Sequence, residues 1–128
     1  MGMRILLVED SLSNRLLIQS YVKKMACDLD LAENGEIAVD MFKAVRYGLV
    51  FMDMEMPVMD GHTATREIRQ WERACEMPPT PILALTAHET QEEARKSLEA
   101  GCTAHLIKPI KKAALLAALS EHARSPGT

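Results

Sequence analysis

The stretch LVFMDMEMPVMDG, residues 49–61, decides the fold. Its first four residues are an apolar run of strand length, Asp53 closes that run, and Pro57 and Gly61 mark the turn that follows. A short apolar run bounded by turn residues indicates a buried strand. Because open α/β sheets bind ligands outside the carboxyl ends of their strands, Asp53 is a candidate site residue.

Outward from this stretch, strand-like runs alternate with helix-like ones along the whole chain. The expected strands are 4–8, 28–32, 49–53, 81–85 and 103–107, and the expected helices follow Ser11 or Ser13, run from Asn34 to Gly48, and cover about 62–75, 89–100 and 111–124. This alternation predicts parallel pairing with right-handed crossovers. We therefore expect an α/β fold, a five-stranded parallel doubly wound sheet of flavodoxin-like order 2-1-3-4-5, (βα)5. One domain should span 3–124, with a tail at 125–128.

Polar side chains stand at the ends of three further expected strands. Glu9 and Asp10 follow strand one, Thr86 follows strand four, and Lys108 follows strand five. The order 2-1-3-4-5 places strands one and three side by side, so the acid pair should lie beside Asp53. Three neighbouring carboxylates repel one another unless Mg²⁺ and an ammonium group keep them ionised. The sequence predicts a phosphoryl and metal site with Asp53 as the nucleophile.

Composition narrows the class of protein. With 128 residues, 48% of them hydrophobic, the chain can bury one core and is too short for two. A net charge of -3 gives no electrostatic footprint for direct nucleic acid binding. Three cysteines without close pairing, and no signal peptide, predict reduced thiols and a cytoplasmic location. No apolar stretch approaches the roughly 20 residues needed to cross a bilayer, so we expect no membrane insertion.

The chain resembles the receiver domain of two-component response regulators, and most of all the receivers of hybrid sensor histidine kinases. The matching motifs are the loop 53–61 with Met56-Pro57 and Met59-Asp60-Gly61, then Leu85-Thr86-Ala87 and Lys108-Pro109-Ile110. The resemblance implies a phosphorylation-dependent switch of a phosphorelay, not an enzyme. It implies that a histidine kinase or histidine phosphotransfer protein donates a phosphoryl group to Asp53. The Mg²⁺ ligands that it implies are Glu9, Asp10, Asp53 and the backbone carbonyl of Glu55.

Two positions depart from the pattern of that family. Glu9 replaces the usual Asp and is longer by one methylene, which favours contact with a metal through water. His105 stands three residues before Lys108, where the family carries an aromatic switch residue, Tyr or Phe. The resemblance implies that phosphorylation shifts the Thr86 and His105 region, here with an imidazole at the switch position. Glu55 and His88 hold positions that modulate the rate of phosphate loss in the family.

Simpler interpretations exist for each residue. Asp53 alone could be a surface acid or a helix cap, the acid pair could serve a helix dipole, Thr86 could cap the fourth helix, and Lys108 could be a surface lysine. Asp53-Met54-Glu55 also superficially resembles the acid pair of haloacid-dehalogenase-like phosphatases. A receiver that acts only as a phosphorylation-independent binding module is a further alternative. The joint occurrence of four ordered motifs favours the phosphorylation switch.

The first helix is the expected docking surface for the phosphodonor, because it begins directly after the acid pair. Its inner stripe should comprise Leu17, Ile18, Tyr21, Val22 and Met25. Leu16 and Leu12 are left outside that stripe among polar neighbours. An apolar residue ringed by polar ones near a site suits a transient helix contact.

Overall fold

A computed structural model describes residues 3–123 of the chain, and along them five strands alternate with five helices. The strands β1 to β5 are Met3–Val8, Cys27–Ala32, Leu49–Asp53, Ile82–Thr86 and Ala104–Ile107. The helices α1 to α5 are Leu12–Val22, Gly35–Ala44, Gly61–Ala74, Gln91–Ala100 and Lys112–His122. The expected helix end at Arg124 and the expected tail 125–128 lie outside the described residues.

The five strands form one parallel sheet of order β2-β1-β3-β4-β5, as predicted. All residues of β3 and β4 are buried, which agrees with the apolar runs of a sheet covered on both faces. Val8 is in register with Met52, and Asp53 with Leu85. The residues that follow β1 therefore lie next to the last residue of β3.

Two apolar cores lie on the two faces of this sheet. One contains Phe42 and Ile68 from α2 and α3, and the other contains Ile18 and Leu115 from α1 and α5. Each fully buried side chain of this size contributes about 1.5–3 kcal/mol. The sheet is therefore a rigid support for the residues at its carboxyl edge.

Four helices begin at a side-chain cap, an oxygen that accepts a hydrogen bond from the amide three residues further on. These caps are Ser11, Asn34, Asp60 and Thr90. Asp60 therefore caps α3 in addition to its place in the turn. Thr86 does not cap α4, because Thr90 does. Helix α4 is followed by Gly101, whose φ of 112° is the left-handed conformation that glycine commonly adopts after a helix.

Two sequence expectations about helices are wrong. Helix α2 ends at Ala44 and not at Gly48, because Val45 already has an extended backbone. Leu17 is 37% exposed and does not belong to the inner stripe of α1, whereas Ile18 and Val22 are buried. Leu12 and Leu16 are 60% and 56% exposed, as expected for residues outside that stripe. Among the described residues, no helix has the length and apolarity of a membrane span.

Candidate functional site

The three predicted acids meet at the carboxyl edge of the sheet. Glu9 and Asp53 are each 1% exposed, whereas Asp10 is exposed. One carboxylate oxygen from each of the three lies within 4.8 Å of the others. The neighbouring ends of β1 and β3 cause this convergence, since Glu9 follows Val8 and Asp53 ends β3.

Lys108 reaches this cluster from the end of β5. Its Nζ lies 3.1 Å from Glu9 Oε1 and 3.1 Å from Asp53 Oδ1. Burial acts to lower the pKa of Lys108, but the attraction of Asp53 and Glu9 outweighs it, so the pKa is raised. The ammonium group is therefore a firmly charged counterion shared by two buried carboxylates.

Asp53 is destabilised as an anion. Burial, followed by repulsion from Glu9, raises the pKa of Asp53 from its ordinary 3.8 to about 7. The amide of Glu55, which donates to Asp53 Oδ1 at 3.1 Å, and the Lys108 ammonium act in the opposite direction. One ammonium group thus leaves the two buried carboxylates incompletely neutralised.

The donor set of this cluster fits a hard divalent cation. Asp53 Oδ2 is buried and has no hydrogen-bond partner among the described residues, and the buried Glu9 Oε1 has only the Lys108 ammonium group, 3.1 Å away. An unsatisfied buried oxygen is costly, and carboxylate oxygens are the ligands that Mg²⁺ prefers. The Glu55 carboxylate lies outside the cluster, with Oε1 3.1 Å from His88 Nε2. The expected part of Glu55, through its backbone carbonyl, stays a prediction.

The loop after Asp53 returns tightly over the end of β3. A Cβ at Gly61 would lie 2.2 Å from the backbone oxygen of Asp53 and 2.8 Å from Met54 Cα. Gly61 N donates to Met54 O at 3.3 Å, and Met54 N donates to Leu85 O at 3.1 Å. The glycine is therefore required by this close approach, and it joins the start of α3 to the backbone of Asp53.

Thr86 and His105 lie on the neighbouring strands β4 and β5. Thr86 is 2% exposed, and its Oγ1 accepts a hydrogen bond from His88 N at 3.1 Å. His105 is exposed and borders a pocket of about 210 Å³ that Thr86 and Ser97 also line. Ser97 Oγ is buried and has no hydrogen-bond partner among the described residues. The pocket offers space beside Thr86 and a polar group inside it.

Sequence reasoning missed two contacts near the site. Arg15 donates from one guanidinium nitrogen to the backbone oxygens of Glu9 at 2.9 Å and Asp10 at 3.3 Å. His62 lies with Nε2 3.4 Å from Glu93 Oε1, and only 20% of its side chain is exposed. A signal for Arg15 was present, because side chains of a first helical turn point back towards the helix N-terminus.

Comparison with known protein families identifies the family of this chain. The family described as "Response regulator receiver domain" matches residues 5–120. The chain belongs to this family. The receiver domain is accordingly a switch of two-component signalling rather than a catalytic enzyme.

Curated relatives confirm the expected likeness to receivers of sensor kinases. The sensor histidine kinase GacS of Pseudomonas protegens is 40% identical over 109 residues, which cover 85% of this chain and 12% of that protein. The hybrid signal transduction histidine kinase M of Dictyostelium discoideum is 36% identical over 119 residues, covering 91% of this chain and 5% of that protein. The receiver domain thus spans only a small part of these relatives.

Two solved structures are similar in fold and in sequence. The receiver domain of the Saccharomyces cerevisiae response regulator Ssk1, crystallised with the histidine phosphotransfer protein Ypd1, has a TM-score of 0.92 and 33% identity. That comparison covers 95% of this chain and 89% of the other. The receiver domain of the Pseudomonas aeruginosa sensor histidine kinase PA1611 has a TM-score of 0.84 and 37% identity, covering 95% and 98%. It carries a magnesium ion coordinated in its active-site cleft.

Proposed function

We propose that this receiver domain is phosphorylated on Asp53 by a phosphohistidine donor in a phosphorelay. One observation carries the proposal: Lys108 Nζ lies 3.1 Å from the carboxylates of both Asp53 and Glu9 at the carboxyl edge of the sheet. An acid with a raised pKa, next to a fixed cation, is typical of a functional site. The family match and the magnesium-bound PA1611 receiver support the same assignment.

The residues of the cluster have separate tasks in this reaction. One Asp53 oxygen forms the new bond to phosphorus while the bond from phosphorus to the donor imidazole breaks, and the imidazole nitrogen keeps the electron pair. Lys108 holds the Asp53 carboxylate in place and stabilises negative charge on the phosphoryl oxygens. Glu9, Asp10, Asp53 and the Glu55 carbonyl would hold Mg²⁺. When bound, Mg²⁺ would supply positive charge to the acids and to the phosphoryl oxygens.

The response to phosphorylation centres on Thr86. An acyl phosphate adds about one unit of negative charge and new hydrogen-bond acceptors to the pocket. The Thr86 hydroxyl can donate to such an oxygen, which draws the β4–α4 loop inward. The pocket of about 210 Å³ next to Thr86 gives His105 space to follow. The phosphoryl group thereby changes the surface formed by α4 and β5.

We place the phosphodonor on α1. The exposed side chains of Leu12 and Leu16 lie on the helix that begins directly after Glu9 and Asp10. Small apolar patches with polar surroundings suit transient contacts between proteins. The similar Ssk1 receiver crystallised with a histidine phosphotransfer protein, and a partner of that class fits here. We also infer a cytoplasmic location, because the three cysteines are free.

Labelling with acetyl phosphate tests the proposed acceptor. Intact-mass spectrometry should show one added phosphoryl group on the wild-type chain only when Mg²⁺ is present. The Asp53→Asn variant should show none. Asp60→Asn is the matched control, because Asp60 lies in the same loop but caps α3, a task that Asn also performs. Full labelling of Asp53→Asn would overturn the assignment. Absence of any reaction in the wild type would favour a phosphorylation-independent binding module.

Lys108→Ala tests the coupling between phosphate and conformation. The variant should keep its fold, because the ammonium group stabilises only the cluster, but it should lose most of the response. Beryllofluoride, which imitates the phosphoryl group, should shift the amide resonances around Thr86 in the wild type and leave them nearly unchanged in the variant. Wild-type shifts in Lys108→Ala would refute the part assigned to the lysine.

A further inference from the structure

Arg15 makes an unusual pair of contacts with the loop between β1 and α1. Its Nη1 donates to the backbone oxygen of Glu9 at 2.9 Å and to that of Asp10 at 3.3 Å. The guanidinium therefore binds the main chain of both acids and not their carboxylate oxygens. Hydrogen bonds from a charged donor are about twice as strong as neutral ones.

The position of Arg15 is electrostatically unfavourable for the helix itself. Arg15 is the fourth residue of α1, close to the end where the helix dipole is positive. The first turns of α1, α3 and α5 have no acidic residue, whereas α2 and α4 carry Glu36 and the pair Glu92 and Glu93 there. Helix stability does not explain a cation at this place. The contacts with the acid-bearing loop do.

The same loop is held at two further points. Ser11 N donates to Glu9 Oε2 at 3.2 Å, and Asn14 N donates to Ser11 Oγ at 3.3 Å. Asp10 is exposed, and no hydrogen bond of its carboxylate is found among the described residues. The main chain of Asp10 is therefore held by a side chain at its carbonyl oxygen, which accepts the hydrogen bond from Arg15. Without this hydrogen bond, the main chain of Asp10 that carries the carboxylate would lose one of its anchors beside Asp53.

We propose that Arg15 is a positioning residue of the metal site, which fixes the main chain of Glu9 and Asp10 so that their carboxylates bind Mg²⁺. This inference rests on the proposed function of the acid cluster. Residues that orient metal ligands commonly change metal affinity by about 10- to 100-fold when they are replaced. Loss of Arg15 changes the Mg²⁺ affinity in opposite directions through positioning and through charge. Loss of the positioning contact should weaken Mg²⁺ binding, whereas loss of a nearby positive charge should strengthen it. The sign of the change in affinity therefore separates the two effects.

The experiment is a titration of the full chain, labelled with ¹⁵N, with MgCl₂, followed through the amide resonances of Glu9, Asp10 and Asp53. Arg15→Met should raise the Kd for Mg²⁺ about tenfold. Arg15→Lys retains a charged donor and should recover part of the affinity. Lys24→Met makes the same change of charge beyond the far end of α1 and should leave the Kd unchanged. Equal thermal midpoints would show that all variants fold.

A second readout separates metal affinity from chemistry. In Arg15→Met, the Mg²⁺ concentration for half-maximal labelling by acetyl phosphate should rise by the same factor as the Kd. The rate at saturating Mg²⁺ should stay at the wild-type value. An unchanged or lower Kd in Arg15→Met would overturn the inference while leaving the proposed function intact. A wild-type chain that binds no Mg²⁺ would overturn the proposed function, and the inference with it.

Discussion

Replacing Asp53 by Asn should stabilise the domain in the absence of Mg²⁺. The carboxylate of Asp53 is buried beside Glu9, and burial followed by that repulsion raises its pKa to about 7. An unfolded chain would ionise the same group near 3.8. Asn has nearly the same shape, can still accept the Glu55 amide hydrogen bond, and carries no charge. The substitution therefore removes a repulsion that only the folded state contains.

The pH dependence has a definite sign. Between about pH 4 and pH 7 the folded protein holds a proton on Asp53 that the unfolded chain has released, so stability falls as pH rises through this window. A pKa change from 3.8 to about 7 corresponds to about 4 kcal/mol. The attraction of Lys108 is already contained in this change. Because relaxation of the folded structure relieves part of such a buried repulsion, we expect about half, roughly 2 kcal/mol, above pH 7. The advantage should shrink to near zero below about pH 3, where Asp53 is neutral in both states.

Urea unfolding of both proteins across this pH range, in a chelator, measures the difference. The slopes with urea should match, so that the midpoints report stability directly. Saturating Mg²⁺ should stabilise the wild type and narrow the gap, because the ion binds the folded form. A stability gain that is the same at about pH 5 and about pH 8 would refute the reasoning, and so would a loss at the higher pH.

Three further predictions concern other parts of the fold. Gly61→Ala should destabilise the domain by about 1–3 kcal/mol in urea unfolding, because its Cβ would lie 2.2 Å from Asp53 O; a wild-type midpoint would contradict this. Glu76→Gly should raise the free energy of unfolding by about 1 kcal/mol, since Glu76 has φ of 54°; a lower midpoint would show that the Glu76 side chain contributes more than its strain costs. Leu16→Glu should slow phosphotransfer from a histidine donor and leave acetyl phosphate labelling unchanged. Equal slowing of both reactions would count against docking on α1.

The sheet and the site were predictable from the same feature of the sequence. Apolar runs of strand length alternate with helical patterns, which predicts the parallel order, and that order brings strand ends together. Asp53, Glu9 and Lys108 meet because each follows a strand, so no knowledge of side-chain packing was needed. The positions of these residues along the chain were sufficient.

Contacts that depend on side-chain direction were not predictable in this way. Glu72 is 2% exposed, with Oε1 2.7 Å from Arg69 Nη1 and Oε2 accepting from Thr80 N at 2.8 Å. In the sequence it is one more acid on an amphipathic helix. Val58 has φ of 70°, a conformation that β-branched residues rarely adopt, and local propensity argues against it. Both depend on the tertiary structure around them.

The resting partners of Lys108 have a consequence for the strength of the signal. Because its ammonium group already contacts Glu9 and Asp53 at 3.1 Å, the proposed phosphoryl group would gain this counterion only by taking it from these acids. The free energy available to move the Thr86 loop would therefore be a difference between two states: Lys108 paired with the acids, and Lys108 paired with the phosphoryl group. Substitutions at Glu9 would change this resting state together with the proposed Mg²⁺ site. Sequence variation beside the proposed acceptor would thus set the amplitude of a response while the acceptor itself stays the same.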